Sequence, residues 1–194
     1  MPRFSENEKQ RIHSKLLLEG ERLFTTYGIK KVTIDELVDA VGIAKASFYT
    51  FYESKEYLYL DIVQNIQQQI FTELSTLLKS NSGLPSKERV LEVFDVMNKL
   101  MLRYPILNYM DTATIELIAR KVSRERLSAF EDQNFDAAKS MYDHGIRFTC
   151  DIQTASYAFQ SIHHNWIHLH DKGEVIQSSV VNILLHGVIN QIVK

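Results

Sequence analysis

Residues Thr33 to Leu58 read TIDELVDAVGIAKASFYTFYESKEYL, and their order decides how the rest of the chain is read. Thr33 and Glu36 have the capping-box spacing, in which the threonine accepts from the backbone N–H three residues on and the glutamate reaches back to the cap. A helix therefore starts after Thr33. It is short, because Gly42 follows Leu37, Val38 and Val41, and a glycine can take the left-handed conformation that turns the chain into another helix. Two helices joined by about three or four residues make a helix-turn-helix candidate. The next helix is predicted over about Ala44 to Tyr52. At 100° per residue its faces separate: Ala44, Phe48 and Phe51 on one side, Lys45, Ala46, Tyr49 and Thr50 on the other. Phe48 and Phe51, with Leu37, Val41 and Ile43, can close a small core, and Tyr52 falls on the flank between the two faces.

Upstream, Ile12, Leu16, Leu23 and Tyr27 recur at helical spacing over about Glu8 to Tyr27, and Gly28 ends the run. Gly20, inside it, costs roughly 1 kcal/mol relative to alanine, which places it where another helix approaches closely. Downstream, Ser54 can cap a long helix with Lys55 in its first turn. Leu58, Ile62, Ile66, Ile70, Leu74 and Leu78 carry that helix to the breaker cluster Ser80 to Pro85. Helices follow over about Lys87–Arg103, Ile106–Ala119 and Ser123–His144, then a connector over Gly145–Asp151. Two last helices, about Ile152–His170 and Glu174–Val193, carry the stripes Ala155, Phe159, Ile162, Trp166, Leu169 and Val181, Leu184, Leu185, Val188, Ile192.

Composition sets the outer limits. Seven glycines and three prolines in 194 residues are few breakers against ordinary usage of roughly 12%, which favours long helices and an all-α fold. The single Cys150 cannot form an internal disulfide, and the first residues lack the apolar core of a secretory signal. No apolar run approaches the roughly 20 residues that span a bilayer; the expectation is a cytoplasmic protein with no membrane partner. A net charge of −2 gives no bulk electrostatic footprint for nucleic acid, so DNA binding must rest on placement.

The stretch Thr33 to Leu58 resembles the DNA-binding domain of the TetR family of transcriptional regulators. Thr33, Leu37, Gly42, Ile43, Lys45, Ser47, Phe48, Tyr49, Phe51, Tyr52, Ser54, Lys55 and Glu56 match its pattern, and Leu23, Phe24 and Gly28 fit its first helix. Val38, Val41 and Gly20 depart from it, and Ala44 stands where a serine or threonine would cap the third helix, a loss of about 1 kcal/mol. The resemblance covers about the first 60 residues. It implies an N-terminal three-helix helix-turn-helix domain at 1–54 and a larger helical ligand-binding and dimerisation domain at 55–194, with about nine helices. It also implies a homodimer formed through the last two helices, placing its third helices in major grooves about 34–36 Å apart or somewhat wider. A small hydrophobic or amphipathic effector would move the reading heads through the fourth helix.

Lys45, Ala46, Tyr49 and Thr50 are then the residues that face the groove of operator DNA, and Thr33, Ser47 and Lys55 are phosphate candidates. Their plainer readings are a solvated helix face, a helix cap for Thr33 and a solvated charge for Lys55. Phe94, Met97, Met101, Tyr104, Tyr109, Phe130, Phe159, His163 and Trp166 could line an apolar pocket, with Met110, Phe135 and Met141 in the same rich region. Ordinary core packing is the plainer reading for most of these. Asn98, Asn108, Gln133 and Asn134 could add polarity. His164, His168 and Asp171 share a helix face, a weak metal signal without a further ligand, so no metal or cofactor is expected. Arg120, Lys121, Arg124 and Arg126 read as a solvated basic face. The chain has no phosphate loop, nucleophile elbow or HExxH, so no enzymatic activity is expected; the alternative to a ligand-responsive repressor is a helical small-molecule-binding protein or enzyme without operator binding.

Overall fold

A computed structural model describes residues 4–110, 112–132, 136–169 and 172–194. Every regular element among them is a helix, in the order α1 (Glu6–Tyr27), α2 (Ile34–Val41), α3 (Lys45–Phe48), α4 (Lys55–Ser80), α5 (Ser86–Arg103), a 3-10 helix (Pro105–Tyr109), α6 (Thr112–Ala119), α7 (Arg124–Asp132), α8 (Ala137–Asp143), α9 (Ile152–His168) and α10 (Glu174–Ile192). The chain divides into two compact units, residues 1–68 with 104–134, and residues 69–103 with 135–194. The all-α expectation holds. Two predicted helices are each two elements. Pro105, which lacks a donor N–H, opens the tight 3-10 turn before α6, and the 123–144 run divides into α7 and α8. Gln133, Asn134, Phe135, His170 and Asp171 lie outside the described residues.

In the first unit, α1 begins at a capping box formed by Ser5 and Glu8, and it buries Ile12, Leu16, Gly20, Leu23 and Phe24. Facing α1 are Leu58 and Ile62 of α4: a Cβ placed on Gly20 would stand 2.9 Å from Ile62 Cδ1 and 3.1 Å from Leu58 Cδ2. The missing side chain lets the two helices close up. Phe24 meets Tyr59 of α4 edge-on with ring centroids 5.4 Å apart, and the Tyr59 hydroxyl donates to the Ile106 carbonyl. Leu37, Val38 and Val41 of α2 complete this core together with Phe48, which is fully buried. Burying a side chain of that size contributes about 1.5–3 kcal/mol.

In the second unit, α8 packs on α9 and α9 on α10. Ala155, Phe159, Ile162 and Trp166 form the buried stripe of α9 as expected. On α10 the buried stripe is Gln177, Val181, Leu185 and Ile189. Leu184, expected inside, is exposed, because the α9 contact selects the residues at i, i+4, i+8 and i+12 and Leu184 lies 100° away from Leu185. Gln177 is buried with its amide N–H donating to the Trp166 carbonyl at 2.6 Å, so the polar member of the stripe satisfies the last turns of α9. The C-terminal end pairs with the 145–151 connector: Thr149 N–H donates to Ile192 O at 2.8 Å and Lys194 N–H to Arg147 O at 3.0 Å.

Arg89 anchors the opening of α5. Its guanidinium donates to the Leu78 carbonyl at 2.8 Å, the His144 carbonyl at 2.9 Å and Asn81 Oδ1 at 3.1 Å. Those carbonyls end α4 and α8, where a cation complements the helix dipole. α10, at 19 residues, has the length of a membrane span, but Gln177, Ser178, Ser179, Asn182, His186 and Asn190 interrupt its apolar residues, so it holds no unbroken apolar run of that length.

Candidate nucleic-acid interface

Local chemistry builds the helix-turn-helix segment. Thr33 caps α2 with its side chain accepting from Glu36 N–H at 3.2 Å, while the Glu36 carboxylate accepts from Thr33 N–H at 2.7 Å and from its hydroxyl at 2.9 Å. Those bonds, the backbone one foremost, hold the Glu36 carboxyl below its ordinary pKa. Gly42 adopts φ 78 and ψ 41, and its N–H and that of Ile43 both return to the Val38 carbonyl at 2.8 and 3.0 Å. The left-handed residue turns the chain so that α3 leaves at an angle to α2. Ala44, in extended conformation, offers α3 no side-chain cap.

The third helix is shorter than the periodicity predicts. It spans Lys45–Phe48, and the chain then closes in turns, with Thr50 N–H on the Ser47 carbonyl and Phe51 N–H on the Phe48 carbonyl. Bonds of the i to i+3 type wind the chain more tightly than 100° per residue, so the phase extrapolated past Phe48 fails. Phe48 is buried as expected, but Phe51 is only half-buried and Tyr52 is buried. The Tyr52 ring stacks on His13 with centroids 5.8 Å apart, and its hydroxyl is 2.8 Å from His13 Nε2. Burial first, then the Asp61 carboxylate, pushes the Tyr52 phenol well above its usual pKa.

The residues predicted to face DNA fall into two groups. Lys45, Ala46, Tyr49 and Thr50 are exposed together around the short α3. Tyr49 stands 53% exposed, its ring edge-on to Phe48. Lys45 pairs with Asp35 of α2 at 2.9 Å, and the hydrogen bond to Asp35 raises its pKa. This pair is solvent-exposed and therefore weak, so the lysine can exchange its carboxylate for another acceptor. Thr50 returns its hydroxyl to the Ser47 carbonyl at 2.7 Å, and Ser47 is half-buried.

The flanking candidates are more constrained. The Thr33 hydroxyl proton is engaged by Glu36, so an anion there meets a helix start already occupied by the chain's own carboxylate. Lys55 is not a solvated charge. It is half-buried, its ammonium donates to the Val32 carbonyl at 2.5 Å, and desolvation lowers its pKa. Two donors of that ammonium are left to meet other acceptors. Sequence reading passed over Lys30 and Lys31, both exposed in the turn just before the Thr33 cap; their adjacency to the cap was the available signal.

The pocket candidates divide between the units. Phe94, Met97, Met101, Phe159, His163 and Trp166 belong to the second, Tyr104, Tyr109 and Phe130 to the first. Phe94 and Phe159 meet at 5.3 Å between centroids, and Phe148, which the sequence did not single out, joins them 5.9 Å from Phe159. Met101, Tyr104, Phe130 and Trp166 are buried, Met97 and His163 half-buried, and Tyr109 exposed. Desolvation, with a smaller push from the His164 charge, lowers the His163 pKa.

Residues 16–62 match the family described as "Bacterial regulatory proteins, tetR family". No curated protein sequence matches the chain. Among solved structures, a TetR family transcription regulator from Marinobacter aquaeolei VT8 superimposes with a TM-score of 0.66 at 15% identity, covering 98% of this chain and 100% of that one. The reduced form of E. coli NemR gives 0.59 at 19% identity, covering 93% and 97%. The fatty acid degradation regulator FadR from Bacillus halodurans gives 0.59 at 12% identity, covering 96% of each.

Proposed function

Because the chain folds as the TetR-family transcriptional regulators do and carries their DNA-binding segment at residues 16–62, we propose that it is a ligand-responsive regulator, a repressor that binds palindromic operator DNA as a homodimer and is released by a small molecule. The observation that carries this reading is the exposed set Lys45, Ala46, Tyr49 and Thr50, held over buried Phe48 immediately after the left-handed turn at Gly42. Such a surface has what a major groove can use: a cation for guanine acceptors, a methyl-sized gap at Ala46 and a phenol that can donate to phosphate or pack on a thymine methyl. Lys55, Ser47 and Thr33, with Lys30 and Lys31, supply the phosphate contacts in this reading. The functional division is residues 1–54 for DNA and 55–194 for ligand binding and dimerisation, and the compartment is the cytoplasm.

Support for a second copy comes from α10. Ile176, Ile183 and Leu184 lie at i, i+7 and i+8, on one side of that helix, and are exposed, Ile183 at 72%. An apolar stripe at that spacing fits a partner helix. The aromatic cluster of Phe94, Phe148 and Phe159 suits an apolar or amphipathic effector.

The test is selection of duplexes from a randomised library by the full chain, followed by salt titration. A palindromic site should be enriched, and binding should fall steeply with salt. Tyr49→Ala should lose the selected site while melting stays near wild type. Lys55→Ala should also lose it, but with a lower melting temperature, because its ammonium is tied to the Val32 carbonyl. No enrichment together with a shallow salt dependence would favour a small-molecule-binding protein without operator binding.

A further inference from the structure

The charged residues of α2 are all acids: Asp35, Glu36 and Asp39, each exposed. Such a helix is poorly suited to lie against phosphates, whose charge it repels. Its carboxylates have different tasks. Glu36 is turned back onto the Thr33 cap. Asp35 reaches across to α3 instead: Lys45 Nζ lies 2.9 Å from its Oδ1 and 3.0 Å from its Oδ2, so the ammonium sits between both carboxylate oxygens. The pair spans the left-handed turn at Gly42 and joins the charge of α2 to the exposed set Lys45, Ala46, Tyr49 and Thr50. Both side chains are more than half exposed, Lys45 at 52% and Asp35 at 66%, and an ion pair in that setting adds little to stability. Its use lies in how it presents Lys45.

An ammonium has three donors and no acceptor, and a carboxylate accepts at about four positions. With two donors turned to Asp35, Lys45 keeps a third, and Asp35 keeps acceptor positions beside it. The pair therefore presents a donor next to an acceptor and not a bare positive charge. A phosphate offers only acceptors and meets the Asp35 carboxylate as a like charge. In the major groove a single base pair offers the complement: guanine has acceptors at O6 and N7, and the cytosine paired with it has the N4 donor. Adenine gives an ammonium one acceptor where guanine gives two, so guanine holds the cation better. We propose that Asp35 is a specificity-determining residue: with Lys45 it reads one G·C pair in each half-site, the ammonium donating to guanine and the carboxylate accepting from cytosine N4, and it keeps Lys45 off the phosphates. This rests on the operator binding proposed above, and it adds a base-reading side chain from α2 to a set that otherwise lies on α3 and the turn after it.

The test uses the full chain and the duplex it selects, with each position of the half-site replaced in turn on both sides of the dyad. The wild-type chain should show a position at which exchanging G·C for A·T weakens binding about tenfold or more. Asp35→Ala should reduce that preference to within about twofold. It should also bind a random duplex more tightly and steepen the salt dependence by about one unit of slope per chain, because the freed Lys45 turns to phosphate. Lys45→Met should lose the same preference, and the double variant should lose no more of it than either single variant. Asp39→Ala, which removes an exposed carboxylate from the same helix, should keep the preference. Melting temperatures should stay near wild type, because the pair is exposed. An intact preference in Asp35→Ala, or an equal loss of affinity for every duplex, overturns the proposal. So does the same loss of preference in Asp39→Ala, or a preference for A·T at the position that the Asp35 and Lys45 variants alter. If Asp35→Ala does not fold, Asp35→Ser must show the same pattern or the proposal is refuted. Should the wild-type chain select no duplex, the operator reading fails and this proposal with it; a selected duplex whose base preferences ignore Asp35 sinks the proposal alone.

Discussion

Adjacent aromatic residues at the end of α3 have opposite fates. Phe48 is fully buried and Tyr49 is half in solvent, so one is a core residue and the other a surface residue one peptide away. Helical phase predicts that split, because 100° of rotation suffices to move a side chain from one face to the next. The same phase misplaces Phe51 and Tyr52, since the helix has already tightened into turns by then. His163 offers a prediction at this scale. Desolvation favours its neutral form in the folded chain, so the folded chain binds fewer protons than the unfolded one below the free histidine pKa of about 6.5. That contribution to stability is complete above this pH and declines as pH falls through it. Melting temperature should drop between about pH 6.5 and 5.5, and His163→Leu should flatten the drop.

At the scale of elements, two helices carry visible departures from good local chemistry. Gly20 lowers the intrinsic helix propensity of α1 and in exchange lets α4 approach. Gly20→Ala regains about 1 kcal/mol of propensity but forces its methyl against Ile62 and Leu58, an overpacking that costs about 1–3 kcal/mol. The net effect expected in urea denaturation is a loss of up to about 2 kcal/mol. Ile62→Val removes Cδ1, the atom in the closest contact; in the double variant it should recover part of that loss. Ala44 is the opposite case. It sits at the start of α3 in the extended conformation of a cap but has no oxygen to offer, so Ala44→Ser should stabilise the chain by about 0.5–1 kcal/mol. A chemical denaturation curve with an unshifted midpoint would contradict this.

At the scale of the whole molecule, α10 has two apolar sides, one buried and one exposed. One side packs on α9 through Val181, Leu185 and Ile189, while Ile176, Ile183 and Leu184 face outward. Ile183→Glu should cost an isolated chain little, within about 0.5 kcal/mol, because the side chain is exposed. If a second copy covers this side, the substitution buries a charge in an apolar seam. Sedimentation should then show a monomer with unchanged helical content, and affinity for the selected duplex should fall. A variant that remains dimeric would move the interface elsewhere.

Short-range chemistry was legible in the sequence. The Thr33–Glu36 cap, the left-handed Gly42, the start of α4 beside Ser54 and the long apolar run to Ser80 depend on residues within a few positions of one another, where spacing and residue type suffice. The close approach at Gly20 was also legible, as a breaker retained inside an otherwise good helix. What spacing could not supply were partners far along the chain. Arg126 looked like part of a solvated face, yet it pairs with Asp61, 65 residues away. Lys55 looked solvated, yet it donates to a carbonyl 23 residues upstream. Tyr52 finds His13 at a separation of 39, and the outward turn of Leu184 depends on which side of α10 meets α9. Local periodicity determines that a helix forms and which residues share a face; tertiary packing decides which face is covered and which charge finds a partner, because those energies come from groups brought together only by the fold.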